Sequence, residues 1–350
     1  MTKVIKVNPV NPEMELIREA AAIIKSGGIV AFPTETVYGL GADAFNGGAC
    51  RNIFKAKNRP MDNPLIAHIS KTRDIERVAR EVPEEVMNAV KILWPGPVTF
   101  RLKKNEAVPI ETTAGLDTIS VRMPAHPVAL RLIEASGTPI AAPSANISTR
   151  PSGTRAEHVI KDFDGKIDAI LDGGDAAFGM ESTIIDATVE PYLLLRPGAF
   201  TMEELRKYLD IEVPESINIS RKDVVAVAPG MKYRHYAPDT KLIAVQKDLL
   251  ESAVEHLGKR DDYAVLCSNE TAERISDSRA KLIRMGSERS LYEIAKNLFD
   301  SFRELDKKEV KFALVETFPE RGIGLAIMNR IIKASGSAPV SSIEGLKELV

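Results

Sequence analysis

Twice along this chain, short apolar runs of strand length alternate with stretches of helical period, and between residues 210 and 240 the alternation stops. Such alternation restricts the fold to layered α/β sheets, because a buried strand followed by an amphipathic helix packs back onto its own sheet. In the first block, Ile29–Phe32, Leu65–Ile69, Val98–Leu102, Thr118–Met123 and Ile140–Ala142 have the length and the Gly, Pro or polar boundaries of strands. Further strands are expected near Ile170, Ile184 and Leu194. Helices are predicted over Ala49–Lys57, Glu84–Leu93, Val128–Ser136 and Arg155–Phe163, with Thr154/Glu157 and Thr201/Glu204 as capping boxes. Asn11-Pro12 reads as the start of a helix whose one face carries Leu16, Ala20, Ile23 and Ile24 and which Gly27-Gly28 stops.

The second block is simpler. Strands are predicted over Lys241–Gln246, Tyr263–Cys267, Lys281–Met285 and Phe312–Val315, with helices over Leu249–Leu257, Glu270–Ile275, Leu291–Phe302 and Gly324–Ala334, a pattern that favours a parallel, doubly wound sheet. The expected division is therefore a catalytic α/β domain over 1–212, an ordered connection over 213–240 and a smaller Rossmann-like domain over 241–350. Residues 229–238 are not spacer material: Lys232, Tyr233, Arg234, His235 and Tyr236 stand between prolines that restrict the backbone, where a flexible linker would carry Gly and Ser. A tether between domains and a lid over a ligand both fit.

Composition removes several classes. Forty-seven Lys and Arg against forty-nine Asp and Glu give a net charge of −2, a poor match to phosphate-driven coating of nucleic acid. No apolar stretch approaches a membrane span and no signal peptide is evident, so a cytoplasmic setting is expected. Cys50 and Cys267 have no zinc-ligand spacing. There is no phosphate loop of the G-x-x-x-x-G-K type, no G-x-S-x-G elbow, and Gly322-Ile323-Gly324 lacks the third glycine of a dinucleotide fingerprint. A nucleotide would have to be held by scattered cations.

Candidates for that task recur where strands end. Pro33-Thr34-Glu35-Thr36-Val37-Tyr38-Gly39-Leu40-Gly41 follows a buried strand; it is either a plain turn or a place where a ligand approaches the backbone. Lys57 and Arg59 close a helix before Pro60, as a cap for the helix dipole or as a clamp on phosphate. Asp62-Asn63-Pro64 leads into the strand with His68. Thr118, Ser120 and Arg122 share one strand face, where Arg122 suits a carboxylate or a structural ion pair. Ser144 and Asn146, then Ser152, Glu181-Ser182, and Arg196 repeat the scheme. Together they suggest one polar cleft for an acidic, multiply charged ligand.

The order and spacing of these motifs resemble the threonylcarbamoyl-AMP synthases of the two-domain YrdC/Sua type. The resemblance rests on PTETVYGLG from Pro33, KAKNRPMDNPL from Lys55, TISVRMP from Thr118, APSANIS from Ala142, ESTI from Glu181, LRPG from Leu195 and the run from Pro229 to Pro238, and it spans nearly the whole chain. It implies a nucleotidyltransferase that makes L-threonylcarbamoyl-adenylate and pyrophosphate from ATP, L-threonine and bicarbonate, on a twisted sheet with a concave face. It also implies Mg²⁺ arriving with ATP rather than on direct protein ligands, and a downstream complex that passes the group to a tRNA adenosine, with direct tRNA contact weak at most. Carried over by residue, Lys57, Arg59, Asn63, Ser144, Asn146, Ser152, Arg196 and Tyr236 are expected on ATP, with Lys57 and Arg59 catalytic. Thr34, Thr36, His68, Thr118, Arg122, Ala142 and Ser182 are expected on threonine. Two other classes are an RNA-binding module, which the net charge disfavours, and a carbamoyltransferase of the hydrogenase-maturation kind, which would bring zinc-finger cysteines that this chain lacks.

Overall fold

A computed structural model describes residues 1–215, 217, 227, 235–258, 260–276 and 278–350. The chain forms two compact units: the first includes Met1–Ser148 and Ser152–Ile217, the second Thr149–Pro151 and the chain from His235 onward.

The strands of the first unit are β1 (Lys3–Lys6), β2 (Val30–Phe32), β3 (Gly39–Asp43), β4 (Ile66–His68), β5 (Ala79–Arg80), β6 (Val98–Lys104), β7 (Thr118–Arg122), β8 (Ile140–Ala142), β9 (Ala169–Asp172), β10 (Thr183–Asp186), β11 (Tyr192–Arg196) and β12 (Ile211–Glu212). Among the described residues they build one mixed sheet in the order β1-β9-β2-β3-β8-β4-β7-β6-β10-β11-β12, with β5 on the side of β6. Helices Met14–Lys25 and Pro127–Ser136 pack over one face of the β1-to-β8 half, burying Ile17, Ala20, Ile24, Val128 and Leu132 against Val30, Phe32 and Leu171. Helices Gly47–Lys57 and Ala156–Phe163 cover the other face through Ile53, Phe54, Val159 and Phe163.

In the second unit β13 (Lys241–Val245), β14 (Tyr263–Cys267), β15 (Lys281–Arg284) and β16 (Phe312–Glu316) are all parallel, in the order β13-β16-β14-β15. Helix Lys247–Leu257 packs Leu250, Ala253 and Val254 onto Val265 and Leu314. Among the described residues, no helix is long and apolar enough to cross a membrane.

Three local expectations need correction. The first helix begins at Met14, not after Asn11, because the Asn8 carboxamide turns the chain by accepting from the backbone of Val10 and Asn11 at 2.9 Å; its buried face is Ile17, Ala20, Ala21 and Ile24. Thr154 does not cap its helix, which starts one residue too late for Glu157 to reach back; His158 Nδ1 lies 3.3 Å from the Thr154 amide instead. The Thr201/Glu204 box does form. Finally, the second half of the PTETVYGLG run is strand β3, folded back antiparallel on β2 with Gly39 opposite Phe32.

That pairing explains the glycines. A Cβ on Gly41 would stand 2.5 Å from Ile140 Cγ2 and 2.7 Å from Phe32 Cε1, both in the core. The absent side chain leaves room for the Phe32 ring, which then meets His68 edge-on at 6.1 Å. Gly41→Ala is expected to cost about 1–3 kcal/mol of stability through this overpacking, measured by chemical denaturation.

Candidate active site on the polar sheet face

Residues alternate sides along a strand, so a sheet with one polar face reads as every second residue polar. Strands β6 and β7 do this, and the adjoining strands β4, β10 and β11 add His68, Asp186 and Arg196 to the same face. His68 is in register with Arg122, and Ser120 with Arg101. Thr99 pairs with Ile184, which pairs with Arg196, and Arg101 pairs with Asp186. The intervening residues Ala67, Val121, Phe100, Ile185 and Leu194 are apolar and fully buried. At β11 the register with β10 slips by one: Arg196 pairs with Ile184 but Leu194 with Ile185, so Leu195 is the extra residue of a bulge. Leu195 packs with Ile184 and Ile66, and Val227, in the connecting segment, packs against the same three.

The turn between β2 and β3 delivers a hydroxyl network to this face. Thr34 Oγ1 donates to the Val37 carbonyl at 2.6 Å and lies 2.8 Å from Thr36 Oγ1. With the Thr34 proton committed, Thr36 donates to Thr34 and its lone pairs accept from Arg122 Nη1 at 2.9 Å. Arg122 Nε donates to the Gly96 carbonyl at 3.3 Å. Arg122 Nη2 stands 2.7 Å from Glu35 Oε1, an ion pair by distance; the approach is not aligned as a hydrogen bond, so Nη2 and both Glu35 oxygens make none. Beside Arg122, His68 Nδ1 donates to the Ile66 carbonyl at 3.0 Å, leaving Nε2 as an acceptor. Burial, with the neighbouring Arg122 charge, pushes the His68 pKa down to about 3, so this imidazole is neutral near pH 7.

A second cluster lies on the loop after β8. Lys57, in the last turn of its helix, is 1% exposed. Its ammonium donates to the Ser144 carbonyl at 2.5 Å and to the Asn146 carbonyl. Ser144 Oγ donates to Asn146 Oδ1 at 2.6 Å. Arg59 folds over the next turn, Nε to the Asn63 carbonyl and Nη2 to the Pro64 carbonyl, each at 3.2 Å. Asn63 is buried with Oδ1 unbonded. This loop adjoins the Thr34–Tyr38 turn through Ala145 N donating to the Tyr38 carbonyl at 2.7 Å. Nearer β10, Ser152 Oγ donates to Glu181 Oε1 at 2.5 Å, Arg196 Nη2 donates to the Ser182 carbonyl at 2.9 Å, and Ser182 Oγ lies 2.8 Å from Thr99 Oγ1.

Thr34, Thr36, His68, Arg122 and Ser182 thus belong to the polar face and its rim, with Ala142 buried beside Ile66, while Lys57, Arg59, Asn63, Ser144 and Asn146 form the adjoining loop cluster. Thr118 and Tyr236 have surroundings of their own. Thr118 is at the opposite end of β7 from Arg122, about 13 Å along the strand, where its hydroxyl accepts from Arg101 Nε at 3.0 Å. Tyr236 belongs to the second unit, its ring stacked on Phe299 at 5.3 Å and under Arg330 at 5.5 Å. Pro229 to Arg234 lie outside the described residues. Glu35 and Glu181 also stand here, outside the roles that the motifs imply; a carboxylate flanked by two hydroxyl residues at a strand end is the signal that marks Glu35.

Two family models match the sequence: the Sua5/YciO/YrdC model, described as telomere recombination, over residues 22–198, and the model described as threonylcarbamoyl-AMP synthase, C-terminal domain, over residues 200–336. The threonylcarbamoyl-AMP synthase of Pyrococcus abyssi is 48% identical over 91% of this chain and 94% of its own length. The chain belongs to the threonylcarbamoyl-AMP synthase family. The Bacillus subtilis member is 43% identical over 91% of this chain and 93% of its own. A crystal structure of P. abyssi Sua5 complexed with L-threonine superposes with a TM-score of 0.89 at 45% identity, covering 97% of this chain and 100% of that one. The bipartite organisation of this synthase family accounts for both units.

The neutral imidazole of this family member gives a pH test. The His68 pKa is lowered from 6.5 to about 3 on folding, so between those values the unfolded state binds the extra proton and stability rises with pH. This contribution is present above pH 6.5 and lost on acidification, roughly 3 kcal/mol between pH 6.5 and pH 4. His68→Gln is expected to lose less stability than wild type over that interval in paired denaturant titrations. Equal acid sensitivity would show that the imidazole gains its proton without penalty.

Proposed function

We propose that this chain joins L-threonine, bicarbonate and ATP into L-threonylcarbamoyl-adenylate and pyrophosphate, as a nucleotidyltransferase that supplies tRNA threonylcarbamoylation. The observation that carries the reading is Arg122: a guanidinium 3% exposed, oriented by Thr36 and Gly96, with one Nη2 donor making no hydrogen bond. A substrate carboxylate would complete it. Thr34, Thr36, the His68 acceptor, Ala142 and Ser182 are assigned to threonine with it. Thr118, whose hydroxyl accepts from Arg101, is assigned to threonine with them.

The loop cluster is assigned to ATP. Lys57 shapes the 144–146 loop through its carbonyl bonds, presenting Ser144 and Asn146 to the nucleotide. Arg59, Asn63, Ser152 and Arg196 complete the nucleotide side, with Tyr236 assigned to it through the lid reading. Val227 packs on Ile66 and Ile184, neighbours of His68 and Arg196 on the same face. Among the described residues no group of three or more His, Cys, Asp or Glu could hold a metal. Magnesium is assigned to the triphosphate, where it would neutralise phosphate charge. The free amine adds to CO₂ or bicarbonate, a carbamate oxygen attacks the α-phosphorus, and pyrophosphate leaves. Positioning and charge neutralisation supply the rate enhancement, so no activated nucleophile is required. Cys50 and Cys267 are free and buried, their thiol pKa values raised by burial to about 11 and about 12, in keeping with a reducing, cytoplasmic setting.

Pyrophosphate release, with each substrate omitted in turn and the product weighed by mass spectrometry, tests the reaction. Release is expected only with all three substrates present; release without threonine would overturn the assignment. Arg59→Ala is expected to lower kcat/KM by about 10- to 100-fold through lost charge-assisted bonds. Arg122→Gln is expected to raise the KM for threonine far more than that for ATP.

A further inference from the structure

Buried side-chain atoms without hydrogen bonds are few in native proteins, and each calls for an explanation. Three of those in this chain meet at one spot: Oε1 and Oε2 of Glu35 and Nη2 of Arg122, on residues 6% and 3% exposed. The position of Glu35 is fixed. Its carbonyl accepts from Phe178 N at 2.8 Å, and its neighbours Thr34 and Thr36 are locked in the hydroxyl network. A carboxylate has about four acceptor sites, and here its recorded ion pair is with Arg122.

The other titratable groups recorded around the pair do not add a cation near pH 7. His126, at the start of the helix Pro127–Ser136, feels the Glu35 charge, but burial holds its pKa below the ordinary histidine value and its Nδ1 accepts from Val128 N at 3.2 Å. His68, on β4, is kept neutral by burial and Arg122. An acceptor with spare capacity thus sits against a donor with spare capacity. A free α-amino acid carries the matching pair on adjacent atoms: a carboxylate for Arg122 and an ammonium for Glu35.

We propose that Glu35 holds the α-ammonium of the amino-acid substrate and accepts its proton as the carbamate forms. This rests on the reading of the site given above. An ammonium N–H bond breaks, its electron pair stays on nitrogen, and the proton passes to a Glu35 oxygen. The amine pair then forms the N–C bond: with bicarbonate its hydroxyl leaves as water together with the second N–H proton, and with CO₂ that second proton passes to solvent. The protonated Glu35 returns its proton to solvent when the product leaves.

The test compares two ligands on the full chain by calorimetry: L-threonine, and 2,3-dihydroxybutanoate, in which a hydroxyl replaces the ammonium. Glu35→Gln is expected to weaken threonine binding on the order of 10-fold or more, while binding of the dihydroxy acid and of ATP is unchanged. The variant's rate is expected to recover as rising pH supplies free amine. Wild-type threonine affinity in the variant, or equal weakening of both ligands, would overturn the proposal. Should Glu35→Gln not fold, Glu35→Asp on the same two ligands decides it by the same criteria. A wild-type chain that makes no threonylcarbamoyl-adenylate would instead overturn the reaction assigned to the site, whereas an active wild type with an indifferent Glu35→Gln overturns this inference alone.

Discussion

A guanidinium taken out of water must be met by fixed partners, and Arg122 collects them from separate parts of the first unit. Gly96 lies before β6, Thr36 and Glu35 lie in the turn between β2 and β3, and His68 is the register partner on β4. Burying an ion pair is not by itself a source of stability, because the desolvation penalty rivals the attraction. The rest of the architecture makes that burial tolerable. Gly41 lets Phe32 lie flat, Phe32 stands against His68, and the hydroxyls of Thr34 and Thr36 are used in an order that leaves Thr36 free to accept.

Lys57 shows a different use of charge. A lysine at a helix C-terminus is ordinarily read as complementing the helix dipole, yet this one is almost wholly buried and donates to carbonyls of a loop nearly ninety residues away. Its helix ends at Asn58 in the left-handed conformation, which swings Arg59 onto the turn at Asn63 and Pro64. Two neighbouring cations therefore shape two separate loops, and the Ser144 and Asn146 side chains are displayed on one of them.

Most of the architecture was legible because it follows from periodicity. The parallel second unit and strands such as Ile140–Ala142 and Tyr263–Cys267 match their predicted spans, since a buried run between turn residues has few alternatives. Strand β3 was hidden because Gly39 and Gly41 look like turn residues until Phe32 is placed over them. The expected start at Asn11 failed because Asn8 takes the chain through its turn first. Within the site, the residue types and their gathering on one face were readable from strand ends. The separation of Thr118 from Arg122 was readable as well, since four strand positions span about 13 Å. What no pattern revealed was orientation: which hydroxyl protons are committed, and that Glu35 faces Arg122 rather than solvent.

The bulge at Leu195 gives β11 an unusual relation to changes in chain length. Because one extra residue is already absorbed between Leu194 and Arg196, both Leu195 and Arg196 serve the face shared with Ile184. Losing a single codon there would restore plain alternation and leave room on that face for only one of the two side chains. Point substitutions at this strand alter one contact at a time, whereas a one-residue deletion would exchange an apolar neighbour for a cation or the reverse. Length variation among related chains should therefore accumulate beyond Arg196 or before Tyr192, and the segment between them should behave as a fixed-length cassette.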